Sequence, residues 1–172
     1  MTTEIATFAS GCFRGVQMAF ESFFNDDTIE IKVGYAGGNV TYSDYRKVCT
    51  GTTSHAEAIQ IKYTPSDTIN YSNLVEFFCL MRELTSLDAL APDVSTQYLS
   101  AIFYHSPEQE QIAKRVMDEV QNEHFWGQEI YTLIVPASEW YDAEEYHQKY
   151  LEINPEGYAC PTQFLRWCIS HK

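Results

Sequence analysis

The chain has 172 residues, 45% of them hydrophobic and 15% aromatic, which suits one domain spanning residues 1–172 with a substantial core. Its 24 acidic against 11 basic residues leave a formal net charge of −13. That balance argues against a nucleic-acid backbone binder or an anionic-membrane binder, because both need clustered Lys and Arg. No apolar stretch approaches about 18 residues, and Met1-Thr2-Thr3-Glu4 is not a basic segment leading into an apolar core, so neither a membrane span nor a signal peptide is expected and the expected setting is cytoplasmic.

Glu4 to Ser10 reads as a strand, and Arg14 to Phe24 has the apolar spacing of a helix. Between them, Gly11-Cys12-Phe13-Arg14-Gly15 puts one cysteine at a strand-to-helix junction. Unpaired N–H groups and the positive end of the helix dipole favour an anion there, so Cys12 is expected to lean toward the thiolate, the nucleophilic form. A lone cysteine is more often a small buried apolar residue. The flanking glycines, which permit a tight turn and close approach of another molecule, argue for the reactive reading.

Thr28 to Gly34 alternates Ile29, Ile31 and Val33 as a second strand, followed by a glycine-bearing loop. Ala56 to Tyr63 reads as a third strand ending at Pro65, Asn73 to Met81 as a helix, and 82–95 as irregular. Tyr98 to Tyr104 is a strand. Ser106-Pro107-Glu108 carries the cap and N1 proline of a helix running from Glu108 to Glu123, and Ile130 to Val135 is a last strand. The order βαββαβ, then a further helix and strand, predicts an α+β two-layer sandwich with a ferredoxin-like, split βαβ core. Residues 137–172 form an acidic, aromatic segment and a Pro/Gly-bearing C-terminal tail.

The cysteines stand at 12, 49, 79, 160 and 168. An odd number without a secretory signal points to reduced thiols, and the absence of a CxxC pair or of His spacing around the cysteines argues against a metal site. There is no GxGxxG or Walker-type loop, so no bound cofactor is expected. Glu57, in an alternating strand, reads by itself as a solvent-facing charge, and Asp93, after a proline, as a turn residue. Tyr35, Trp126 and Trp140 read as packing aromatics, and Asp142, Glu144 and Glu145 as a solvated face, with His147 holding the tail by a hydrogen bond.

The GCFRG pentapeptide resembles the GCFWG signature of the peptide methionine sulfoxide reductase A family. Tyr45-Arg46-Lys47-Val48-Cys49-Thr50-Gly51-Thr52-Thr53-Ser54-His55-Ala56-Glu57-Ala58 is similar to its YxxVCxGxTGHAEA block. Gly34-Tyr35-Ala36-Gly37-Gly38, Pro92 to Tyr98, Tyr141 to Gln148 and Asn154 to Tyr158 follow in the family's order, so the resemblance covers almost the whole chain. It implies the same two-layer fold and thiol-dependent reduction of methionine-S-sulfoxide, free or peptide-bound. By the same resemblance Cys12 is the nucleophile and Glu57 the proton donor, with Phe13, Arg14, Tyr45, Asp93 and Tyr98 around the substrate. Cys160, in a glycine-bearing tail segment, is the expected resolving thiol, and Cys168 the second candidate, able to relay the disulfide outward. Both sit in the tail, 150–172. A dithiol such as thioredoxin closes the cycle, and a monomer is expected.

Several positions leave the pattern. Arg14 stands where the family has tryptophan, Ser54 and Ser95 replace glycines, Leu99 replaces an arginine, and Arg82-Glu83-Leu84-Thr85 replaces HDPT. An arginine beside Cys12 is expected to shrink the apolar seat for the substrate methyl, favour the thiolate and offer a fork for a carboxylate or phosphate. Two alternatives to the reductase follow: a repurposed enzyme acting through Cys12 and Glu57 on an anionic small molecule of a biosynthetic pathway, and a non-catalytic thiol sensor.

Overall fold

The computed structural model describes residues 2–38, 45–46, 55–81 and 100–157. Its strands are β1 (Glu4–Ser10), β2 (Ile29–Ala36), β3 (Ala56–Tyr63), β4 (Ser100–Tyr104), β5 (Leu133–Pro136) and β6 (Tyr141–Asp142). They make one sheet in the order β5-β4-β1-β3-β2-β6. β4-β1-β3-β2 pair antiparallel throughout, so β3 lies between β1 and β2, and helix α1 (Phe13–Phe23) makes the crossover that joins those two strands. This is the split βαβ arrangement expected from the sequence. The further helix and strand also form: α3 (Pro107–His124) carries the chain from β4 to β5, which pairs with it in parallel.

Cross-strand register puts Phe8 opposite both Ile59 and Ile102, and Val33 opposite Ile59, on the face that meets α1 and α2 (Tyr71–Leu80). Phe8 is fully buried there, with ring centroids 5.0 Å from Phe78 and 5.7 Å from Phe20. The other face of the sheet is built from Ala9, Ala36, Ala56, Ala58, Ala101 and Phe103, also buried. Cover on both faces explains why β1 is buried without a break from Ala6 to Ser10, while β3 alternates only in its second half, where Gln60 and Lys62 turn away from buried Ile59, Ile61 and Tyr63.

α1 buries Phe13, Val16, Gln17 and Phe20, a stripe at helical spacing. α2 starts at Tyr71, earlier than its apolar spacing alone predicts, because the Asn70 side chain accepts from the Asn73 N–H and caps it. α3 begins as expected, with Pro107 in its first turn and Ser106 Oγ accepting from the Gln109 N–H. β5 begins at Leu133 instead of Ile130, since the Ile130 N–H is bound by Gln121 Oε1 at 2.8 Å and is lost to the ladder.

The segment after β5 is more ordered than its composition predicts. It adds β6, a 3-10 turn at Glu145–His147 and α4 (Tyr150–Ile153). Gln148 anchors it: its Oε1 accepts from the Val33 N–H at 2.9 Å, and its Nε2 donates to the Val33 and Ala143 carbonyls at 2.8 and 3.0 Å. Lys149 sits in the left-handed region at φ 50, with its N–H held by Gln17 Oε1 at 2.9 Å. No helix among the described residues is long and apolar enough to cross a membrane.

Candidate active site

β1 runs into α1 through Gly11, whose φ of 69 only glycine adopts without strain. That turn leaves Cys12 at the N-cap position, extended, with its side chain partly exposed. Burial raises the thiol above its ordinary value; the N–H groups of Gly15 and Arg14, which point at it, pull the other way, and Glu57 adds to the rise. The thiolate lean expected from the helix start is therefore outweighed by desolvation in the free protein. Cys79, fully buried, is pushed up to about 12 by the same effect. In native protein at mildly alkaline pH, iodoacetamide is expected to label Cys12 well before Cys79, as read by peptide mass mapping. Equal labelling, or Cys79 first, refutes this ordering.

Glu57 is not the solvent-facing charge that its strand position suggests. It shares the helix-side face of β3 with Ile59 and Ile61 and is 3% exposed. Its Oε2 accepts from the Phe13 N–H at 3.2 Å, so the carboxyl lies under the first turn of α1, one residue from the thiol. Burial raises its pKa to about 7, against the lowering effects of the Phe13 N–H and Arg14. A carboxyl poised there holds a proton at neutral pH and can donate it.

An aromatic group stands beside this pair. Phe13 has ring centroids 6.0 Å from Tyr35, 6.3 Å from Tyr45 and 5.3 Å from His147. Tyr35 lies opposite Glu57 in the β2/β3 register and donates its hydroxyl to Glu144 Oε2 at 2.8 Å. The Tyr45 N–H donates to the other oxygen, Glu144 Oε1, at 2.9 Å. Burial pushes the Glu144 pKa up, but the hydrogen bonds from the Tyr45 and Glu144 N–H groups and from Tyr35 win and hold it below the ordinary carboxylate value. Arg14 Nη2 donates to His147 Nδ1 at 2.9 Å, and its guanidinium carbon lies 3.7 Å from the Tyr150 ring centroid.

The family model for peptide methionine sulfoxide reductase matches residues 4–166. The chain belongs to the peptide methionine sulfoxide reductase family. A probable peptide methionine sulfoxide reductase of Schizosaccharomyces pombe is 48% identical over 168 residues, covering 96% of this chain and 98% of the relative. The crystal structure of Mxr1 from Saccharomyces cerevisiae in reduced form superposes with a TM-score of 0.85 at 39% identity, covering 96% of this chain and 93% of that one. The same yeast protein in complex with Trx2 superposes at 0.65 with 30% identity, covering 96% and 91%. The chain is thus an oxidoreductase of this family with its α+β fold.

Within this peptide methionine sulfoxide reductase, the described residues bring Cys12, Phe13, Glu57 and Tyr45 together. Arg14, expected as an open fork for a substrate anion, is engaged instead by the lone pair of a buried imidazole and the face of a tyrosine. His147 does hold the C-terminal segment, through that bond. Asp93, Tyr98, Cys49, Cys160 and Cys168 lie outside the described residues, as do Ser54, Ser95, Leu99 and Arg82 to Thr85. Glu144, read as part of a solvated face, and Tyr35, read as packing only, are site neighbours. The signal for Tyr35 was its place on the Glu57 face of β2; for Glu144 it was the family match of Tyr141 to Gln148 alone, because its partners lie 99 and 109 residues away. Trp126 is no packing residue, at 84% exposure.

Proposed function

We propose that the protein reduces methionine-S-sulfoxide, free or in a peptide, with Cys12 as nucleophile and Glu57 as proton donor. The observation that carries this is a partly exposed thiol at the start of α1 with a buried carboxyl of pKa about 7 beneath the same turn. The Cys12 thiolate attacks the sulfoxide sulfur while the oxygen takes a proton from Glu57; the protonated oxygen then passes to the Cys12 sulfur as the bonds joining the methionine sulfur to that oxygen and to Cys12 break. Methionine leaves and Cys12 is left as the sulfenic acid. A second thiol, Cys160 with Cys168 as relay, condenses with it, releasing water and forming a disulfide. A dithiol then reduces that disulfide by exchange. The Mxr1 complex with Trx2 supports a thioredoxin-class reductant for this chain.

The test is turnover of purified protein with dithiothreitol on the separate S and R epimers of methionine sulfoxide, free and peptide-bound. Turnover of the S epimer, abolished in Cys12→Ser, is the expected result. For Cys160→Ser, one equivalent of methionine is expected per enzyme with thioredoxin as reductant, with no recycling. Failure to reduce either epimer removes the reductase reading.

A further inference from the structure

The geometry points to Arg14 as a positioning residue: through His147 and Tyr150 it ties the first turn of α1 to the segment whose Glu144 holds Tyr45 and Tyr35 beside Cys12 and Glu57. This rests on the reductase reading for its kinetic consequence, though not for its geometry.

The chain of contacts has three links. Arg14 has no free acceptor of its own to offer, so the 2.9 Å contact to His147 Nδ1 requires the imidazole to be the acceptor. A ring that accepts at Nδ1 carries its hydrogen on Nε2, which lies 3.8 Å from Glu144 Oε2, too long for a hydrogen bond, so this link is one of packing and field. Glu144 in turn spends one oxygen on the Tyr35 hydroxyl and the other on the Tyr45 main chain. Stacking on Tyr150 fixes the plane of the guanidinium, which a flexible ammonium does not reproduce.

His147 is 1% exposed, with groups packed on it from three sides. Arg14 comes from α1, and Tyr45 lies 4.5 Å away ring to ring. Glu144 and Tyr146 come from its own segment, Tyr146 at 4.2 Å. Burial lowers the His147 pKa to about 4, and the Arg14 cation contributes in the same direction against the opposing Glu144. Losing Arg14 removes the donor that holds the Nδ1 lone pair and with it the constraint on the plane of the ring that packs on Tyr45 and Phe13. The clasp has two further pins, the Lys149 N–H on Gln17 and the Gln148 amide on Val33, so the segment stays docked when Arg14 is changed.

The experiment follows the His147 ring by NMR in full-length protein, as wild type, Arg14→Met, Arg14→Lys and Arg14→Trp. In wild type the ring is expected neutral, with the hydrogen on Nε2, between about pH 5 and 8. In Arg14→Met and Arg14→Trp its midpoint is expected to rise by about one unit or more, the scale of a removed neighbouring charge. Arg14→Lys is expected to restore part of that shift. An unmoved midpoint in both Met and Trp variants overturns the proposal, whatever the activity. In kinetics on a neutral sulfoxide, Arg14→Trp is expected to lose about 10- to 100-fold in kcat with KM little changed, the scale of a small misplacement of a reacting group. A gain in Arg14→Trp, as a restored apolar seat for the methyl predicts, also overturns it. Should wild type reduce no sulfoxide, the reductase reading falls while the NMR comparison still decides the clasp.

Discussion

Glu57→Gln is expected to lower kcat/KM for methionine-S-sulfoxide by about 10²- to 10⁴-fold, the usual worth of a positioned general acid. Glutamine keeps the size and still accepts from the Phe13 N–H through its carbonyl, so the loss reports the proton and not the shape. The pH profile separates the two further. The reacting form needs a Cys12 thiolate together with a protonated Glu57, yet the thiol is raised above its ordinary value and the acid sits near 7. Below that pH the thiolate fraction grows with pH while Glu57 stays protonated, so the rate climbs. Between the two values the gain in thiolate cancels the loss of acid, and the rate is flat; above the thiol value it falls. Wild-type kcat/KM is therefore expected to rise up to about pH 7, although the group titrating there is required in its acid form. In Glu57→Gln the break near pH 7 disappears and the rate climbs on to the Cys12 value. That value also drops, because the Glu57 charge that raises the thiol is gone. A break near pH 7 that survives in the variant assigns it to another group.

Phe8→Ala is expected to destabilise the fold by about 3–5 kcal/mol, a large part of the roughly 5–15 kcal/mol that holds a domain together. Phe8 stacks on Phe20 of α1, on Phe78 and Tyr71 of α2, and lies between Ile59 and Ile102 across the sheet. No neighbouring element can collapse into the space, because β1 is central and paired on both sides. Urea unfolding followed by tryptophan fluorescence measures the effect as a lower midpoint at unchanged slope. A loss under about 1.5 kcal/mol, the range of a volume-conserving core change, shows that the core repacks around the gap.

What was legible in the sequence follows from how far each contact reaches. β1, α1, β2, β3 and α2 follow from local spacing and caps, and their order alone implied the split βαβ core. Cys12 was legible for the same reason, as its glycine-flanked junction is a local feature. Glu57 was not legible from spacing, because a carboxylate in a strand that also carries Gln60 and Lys62 reads as one more solvated group until its burial on the Ile59 and Ile61 face is seen. Only the family block singled it out. The partners of Arg14 were out of reach altogether: the His147 bond spans 133 residues, and an arginine near a thiol reads as an open charge until its acceptor is seen. The same distance hid β6 and the turns after it, whose pairing with β2 depends on the sheet already being there.

The Gln148 amide gives the sheet an unusual outer boundary. β6 is only two residues long and pairs with Gly34 and Tyr35, which would leave the next peptide of β2 open to another strand. Gln148 supplies a primary amide in the same donor and acceptor order as a backbone peptide, and together with the Ala143 N–H it occupies both the N–H and the carbonyl of Val33. A neighbouring copy arriving edge-on finds these two ladder groups already taken. One side chain thus stands in for the strand that the fold lacks and denies this edge to intermolecular strand addition, the route by which open sheets grow into aggregates.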